Sequence, residues 1–172
     1  RPSFVNDRIQ LGYSFQYQQF VAPQSDFSFN RWTIDLNHDV PIYHTHGPSL
    51  RRETNGPNEC FASPTDHRCP ATTRDRWGTA SFRLLASKSQ VGDTGAVPFY
   101  LQRTLGGSDI DGNRALASYA DYRFRGPHLL LLQETFEHAI WGPFGFLLQG
   151  EHGKVAAQNH SLDFDGLRNT FT

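Results

Sequence analysis

The chain has 172 residues, long enough for one domain with a real core, and its 16 Lys plus Arg stand against 17 Asp plus Glu. This near-neutral balance, with no basic stripe, excludes the electrostatic footprint of a nucleic-acid-binding protein, so no DNA or RNA partner is expected. Fourteen Phe, six Tyr, three Trp, fifteen Gly, ten Pro and no Met go with a negative mean hydropathy. No segment approaches the ~18 consecutive apolar residues of a membrane-spanning helix, whereas a membrane β-barrel remains open because its strands alternate.

The chain opens at Arg1 with no charged start followed by an apolar stretch, so a processed chain or a portion of a longer one is expected. From Ile9, the residues Ile9, Leu11, Tyr13, Phe15 and Tyr17 alternate with Gln10, Gly12, Ser14, Gln16 and Gln18. A period of two places the aromatic residues on one face and uncharged polar residues on the other. About nine residues is also the length of a tilted membrane-crossing strand. The next strand carries Trp32, Ile34, Leu36, Val40 and Ile42 in one phase and Thr33, Asp35, Asn37 and Asp39 in the other, with His38 interrupting the apolar face.

Residues 43–75 are hydrophilic and Pro/Gly-punctuated. A loop this long is unusual inside a compact soluble domain and ordinary on the outer side of a barrel. Within it, Cys60 and Cys69 either form a disulfide across a short loop, as an oxidising compartment permits, or remain free thiols. Their spacing lacks the CxxC pair of a zinc site. Strands resume with Ala80, Phe82, Leu84 and Ala86 against Ser81, Arg83, Leu85 and Ser87, and Val97–Leu101 reads as a further short strand. A Gly/Asp/Asn/Arg-rich stretch over 105–127 separates these from a hairpin in which Leu129–Ile140 leads through Trp141-Gly142-Pro143 into Phe144–Val155. A final strand is expected from about Leu162 to Thr172. The count is about seven antiparallel strands with no helix and no repeat. A β-sandwich or jelly roll would alternate similarly. Faces rich in Gln, Ser, Asp and Asn opposite aromatic ones suit a water-filled lumen and a lipid wall.

Sharper chemistry is sparse. His44-Thr45-His46 puts two imidazoles on one side of an extended segment, and with Glu53 downstream it invites a cupin-like metal comparison; the spacing matches poorly and two loop histidines suffice. Asp109, Asp111 and Asn113 imitate the start of a calcium loop, but Gly112 comes too early for an EF-hand and no Glu occupies the twelfth position. No GxSxG nucleophile elbow is present, and Glu134 and Glu137 fall on opposite faces of a strand. Neither an enzyme nor a cofactor is expected.

One segment carries a family likeness. Pro98-Phe99-Tyr100-Leu101, then Leu105-Gly106-Gly107, then Arg114-Ala115-Leu116-Ala117-Ser118-Tyr119, then Tyr122-Arg123-Phe124-Arg125-Gly126 resembles the late barrel of the bacterial surface antigen family, which includes BamA/TamA-type assembly and translocation proteins. In that family a Gly-Gly strand end enters a long loop bearing a Leu/Val-Arg-Gly-Tyr/Phe signature, and the next two strands bring a Glu and an Asp-x-Gly. Here Glu134 falls in the first of these strands and Glu151-His152-Gly153 replaces Asp-x-Gly in the second. The resemblance covers roughly 97–172.

The resemblance implies an antiparallel transmembrane β-barrel in the bacterial outer membrane, of which these residues are an incomplete portion, closed by further strands or chains. Its implied partners are outer-membrane lipid and client polypeptides, and its implied role is to aid membrane-protein insertion or polypeptide translocation. A loop positioned by Gly106, Gly107, Leu116, Tyr119, Arg123, Arg125, Glu134, Glu151 and Gly153 would carry that role. The signature Arg-Gly is replaced by Ala117-Ser118, so Arg114, Arg123 or Arg125 is expected to supply the missing cation. The alternatives are a passive outer-membrane pore or adhesin barrel, and a soluble β-sandwich or cupin-like module using His44 and His46.

Overall fold

The computed structural model describes residues 3–6, 9–45, 76–108, 112–141, 144–157 and 162–172. The chain is all-β and its strand pairs are antiparallel. One large sheet holds β1 (Ser3–Asn6), β2 (Ile9–Phe20), β3 (Phe29–Thr45), β4 (Arg76–Val91), β7 (His128–Trp141), β8 (Phe144–Ala156) and β9 (Arg168–Phe171), in that spatial order. Between β4 and β7 the chain leaves the sheet, forms the short pair β5 (Arg103–Leu105) and β6 (Phe124–Gly126), and returns. Among the described residues β1 and β9 are the two edges and the sheet does not close into a barrel.

The long strands follow the alternation in the sequence. Tyr13 lies opposite Leu36, Phe15 opposite Ile34 and Tyr17 opposite Trp32; Leu36 then faces Leu84, and Leu84 faces Leu132. These rows make one apolar face. The other face carries Gln16, Thr33, Asp35, Ser87, Gln133 and Glu151. Burial is inverted relative to a water-soluble sheet. Along β3 the polar residues Arg31, Thr33 and Asp35 are buried, while Trp32, Ile34 and Leu36 are 37–41% exposed. Phe15 is 62% exposed and Leu148 57%.

The polar face is covered by the chain itself. Leu105, Ala115 and Leu116 from the inserted segment pack on Leu129 and Leu131 of β7, with Leu85, Tyr119, Phe124 and Val155 around them. This explains the one aliphatic run in the sequence. Leu129 and Leu131 point under the segment, while Leu130 and Leu132 point to the apolar face, so both sides of β7 must be hydrophobic there.

Two expected boundaries change and one strand is added. Phe99–Leu101 is a 3-10 turn rather than a strand, with the Leu101 N–H donating to the Pro98 carbonyl. Pro98 has no N–H to contribute to a ladder. The last strand starts at Arg168, after a turn in which Gly166 adopts φ +68°. The added strand, β1, pairs with the outer edge of β2. The expected hairpin is present, with a register shift between Ala139 and Trp141 at its tip. The 43–75 loop is shortened at its start, where β3 runs on to Thr45, and ends as expected where β4 begins at Arg76; its remainder, with His46, Glu53, Cys60 and Cys69, lies outside the described residues, as do Asp109 and Asp111.

Candidate functional site

The inserted segment leaves β5 through Gly106 and Gly107, whose φ values of +111° and +56° suit glycine. Space demands it too: a Cβ on Gly107 would lie 2.1 Å from Asp121 Oδ1, and one on Gly106 2.6 Å from the Ala120 carbonyl oxygen. The chain therefore folds tightly on itself. Gly106 N–H donates to the Ala115 carbonyl, Gly107 N–H to Leu116, and Tyr122 N–H back to Gly106. Leu116 is wholly buried although its φ is +57°, a conformation costing of order 1–3 kcal/mol that persists only where packing over-determines it. Tyr119 donates its N–H to the Leu116 carbonyl and sets its ring edge-on against Phe124.

The segment is held to the sheet chiefly through β8. Gly153 leaves room for β5, since a Cβ there would stand 3.0 Å from Leu105 Cδ1. Glu151 is 1% exposed. Its Oε2 accepts the Ala117 N–H at 2.6 Å and the Thr170 hydroxyl of β9 at 3.0 Å; its Oε1 accepts the Gln133 amide at 2.7 Å and the Gln149 amide at 3.0 Å. Four donors from the loop, β7, β8 and β9 satisfy a carboxylate that would otherwise be costly to bury. Gln133 also donates to the Arg114 carbonyl and accepts from Arg83, which forms a bidentate pair with Asp35. The polar network thus spans β3, β4, β7, β8 and β9. Further along, Arg31 lies against the stacked Phe20 and Phe29 rings, donates Nε–H to Ser89 and bonds the Leu101 carbonyl of the segment. Arg103 donates to Thr33.

The expected anchors divide. Gly106, Gly107, Leu116, Tyr119, Glu151 and Gly153 come together at this contact. Glu134 does not: it lies on the opposite, apolar face, with its carboxylate over Gly150 and 3.4 Å from His152 Nε2. His152 in turn bonds Asn169 at 2.8 Å. Glu134 shares its phase with Phe136 and Leu132, whereas Gln133 faces Glu151; the true anchor from β7 is therefore one residue earlier. The expected replacement cation is also corrected. Arg114 and Arg123 are exposed, and Arg125 stacks on Phe99 and donates to its carbonyl. Glu151 is served instead by the Gln133 and Gln149 amides, the Thr170 hydroxyl and the backbone N–H of Ala117.

Gln133, Thr170, Arg83 and Asp35 were missed as site residues. Their signal was cross-strand register, which a single strand pattern does not reveal. His44 is the penultimate residue of β3, in register with Trp77, and its suggested companion His46 lies outside the described residues. Among the described residues no cluster of three or more His, Cys, Asp or Glu side chains is placed to hold a metal. Comparison with protein-family models, with curated proteins and with solved structures finds no match to this chain.

Proposed function

We propose that this chain is a portion of an outer-membrane β-barrel of the BamA/TamA type, which aids insertion of membrane proteins or translocation of polypeptides. The observation that carries the membrane part is the inverted burial: polar side chains packed under the chain's own loop, and an exposed face of Leu, Ile, Phe, Tyr and Trp. A contiguous apolar surface of this kind needs lipid or another protein against it. On β3 it runs from Trp32 to Val40, about 26 Å of strand at roughly 3.3 Å per residue. Tilted by ~40°, that stretch spans about 20 Å along the membrane normal, most of the outward apolar band of a membrane barrel, which is about 25 Å tall. Tyr17 packs on Trp32, and Trp32 lies opposite Lys88, an arrangement suited to the headgroup level.

The assembly role rests on the resemblance, supported by a loop folded onto the polar face and anchored at Glu151. In this reading the loop and its anchors position client strands without covalent chemistry or cofactor. An open edge cannot stand in lipid, so β1 and β9 are completed by further strands of this or other chains. The polar trio Glu134, His152 and Asn169 lies on the outer face beside that β9 edge.

The test has two arms. The native protein should require detergent for extraction from an outer-membrane fraction and have an intact mass well above 19.5 kDa. Its depletion should then slow the appearance of folded outer-membrane proteins in a pulse-chase. A species soluble without detergent overturns the membrane reading in favour of a soluble β-module. Undisturbed assembly with loss of membrane conductance points to a passive pore.

A further inference from the structure

β9 is a weak element by its own pairing. It has four residues and meets β8 over four pairs, Gly150 to Phe171 through Gly153 to Arg168, supplemented by the mutual backbone bonds of Gln149 and Thr172. Its two residues facing the polar side, Arg168 and Thr170, both engage the inserted loop. Thr170 is buried and donates its hydroxyl to the same Glu151 oxygen that takes the Ala117 N–H. The Arg168 guanidinium lies 4.1 Å from the centroid of the Phe124 ring, and Phe124 belongs to the loop's core cluster.

We infer that the inserted loop is a staple for β9: seating of the loop and docking of β9 are one coupled equilibrium, joined at Glu151 and at the Arg168–Phe124 stack. The physical reason is the shared acceptor. Oε2 of Glu151 is buried, and its two donors come from two elements that do not otherwise share a strand pair. When the loop lifts, Oε2 loses a charge-assisted bond and water reaches the carboxylate. Thr170 then competes with solvent for its partner, and Arg168 loses its ring. When β9 leaves, the loop loses the same contacts from the other side. Coupling of this kind is reciprocal: each element strengthens the other by the same factor.

The rest of the sheet is indifferent to this device. β3 and β4 pair along 16 positions, so loop release detaches β9 while these long central strands stay formed. The staple concerns this chain's own internal contacts and holds whether or not the assembly role is correct; it requires only that loop and β9 sit as described.

Hydrogen exchange with mass spectrometry on the full chain, in the detergent or buffer that keeps it folded, tests it. Glu151→Gln removes the shared charge but risks misfolding, so two lighter substitutions on opposite sides of the contact decide the matter. Thr170→Val alters only β9, and should raise exchange in the loop peptide 113–122 about fivefold. Phe124→Leu alters only the loop, and should raise exchange in the β9 peptide 162–172 by a similar factor. Peptides within β3 should not change in either variant. Each substitution loosening only its own segment overturns the staple. A one-way effect overturns it as well, because equilibrium coupling cannot run in one direction.

Discussion

Leu36→Arg distinguishes a lipid-facing sheet from a water-facing one. Leu36 lies mid-band on β3, between Tyr13 of β2 and Leu84 of β4, and keeps 38% of its surface exposed. In water, the arginine stem would still cover its neighbours while the guanidinium reached solvent, and a surface change of this sort costs within about 0.5 kcal/mol. In a bilayer the same cation sits near the midplane of the apolar band and costs about 2–4 kcal/mol. At about 1.4 kcal/mol per factor of ten, that is roughly a 30- to 1000-fold loss in the folding equilibrium. The control is Gln16→Arg on the opposite face of β2, where Thr33 and other polar residues are the neighbours and no membrane penalty applies. Reversible urea titration of both variants in lipid vesicles measures the difference. If Leu36→Arg and Gln16→Arg agree within about 0.5 kcal/mol, the apolar face does not meet lipid.

Other substitutions probe the loop and its network. Gly107→Ala forces a side chain into φ +56° with a Cβ 2.9 Å from the Asp121 backbone nitrogen, and is expected to cost about 1–3 kcal/mol; chemical denaturation reads it, and an unchanged midpoint would refute the tight return at 106–107. Arg83→Gln opens the bidentate pair with buried Asp35. Because the guanidinium keeps some solvent access, the loss should fall near the low end of the roughly 3–5 kcal/mol typical of a broken buried pair, and the same denaturation assay reports it. Leu131→Ala removes a side chain sealed beneath the loop and should cost about 2–5 kcal/mol, with faster exchange of the loop peptide. In the turn before β9, the Lys154 ammonium holds the Asp163 carboxyl below the ordinary aspartate range. A depressed carboxylate contributes stability above its unfolded pKa and loses it only as pH falls through the folded value, so exchange in residues 162–167, corrected for intrinsic rate, should not change between neutral and mildly acidic pH.

The alternation of Leu11, Tyr13, Phe15 and Tyr17 with Gln and Ser, and its repeat in β3 and β4, determined strands, their two faces and the antiparallel meander. A period of two leaves little freedom once one face must be apolar. The Gly-Gly at 106–107 was legible only as a strand end opening into a long loop; its tight return, with φ +111° and +56°, was decided by the packing of the segment on itself. Position across strands was beyond this signal. Glu134 and Gln133 differ by one place, and only the pairing with β8 decides that the amide turns inward to Glu151 while the carboxylate turns to the apolar face. The same holds for Val97–Leu101, whose apolar run resembled a strand until Pro98 and packing over the polar face made it a turn. Local pattern names the faces of a strand; which residues meet across the sheet, and that Ala117 offers its backbone where a guanidinium was expected, are settled by register and by the path of the loop, because those contacts join residues 34 or more positions apart in the case of Ala117 and Glu151.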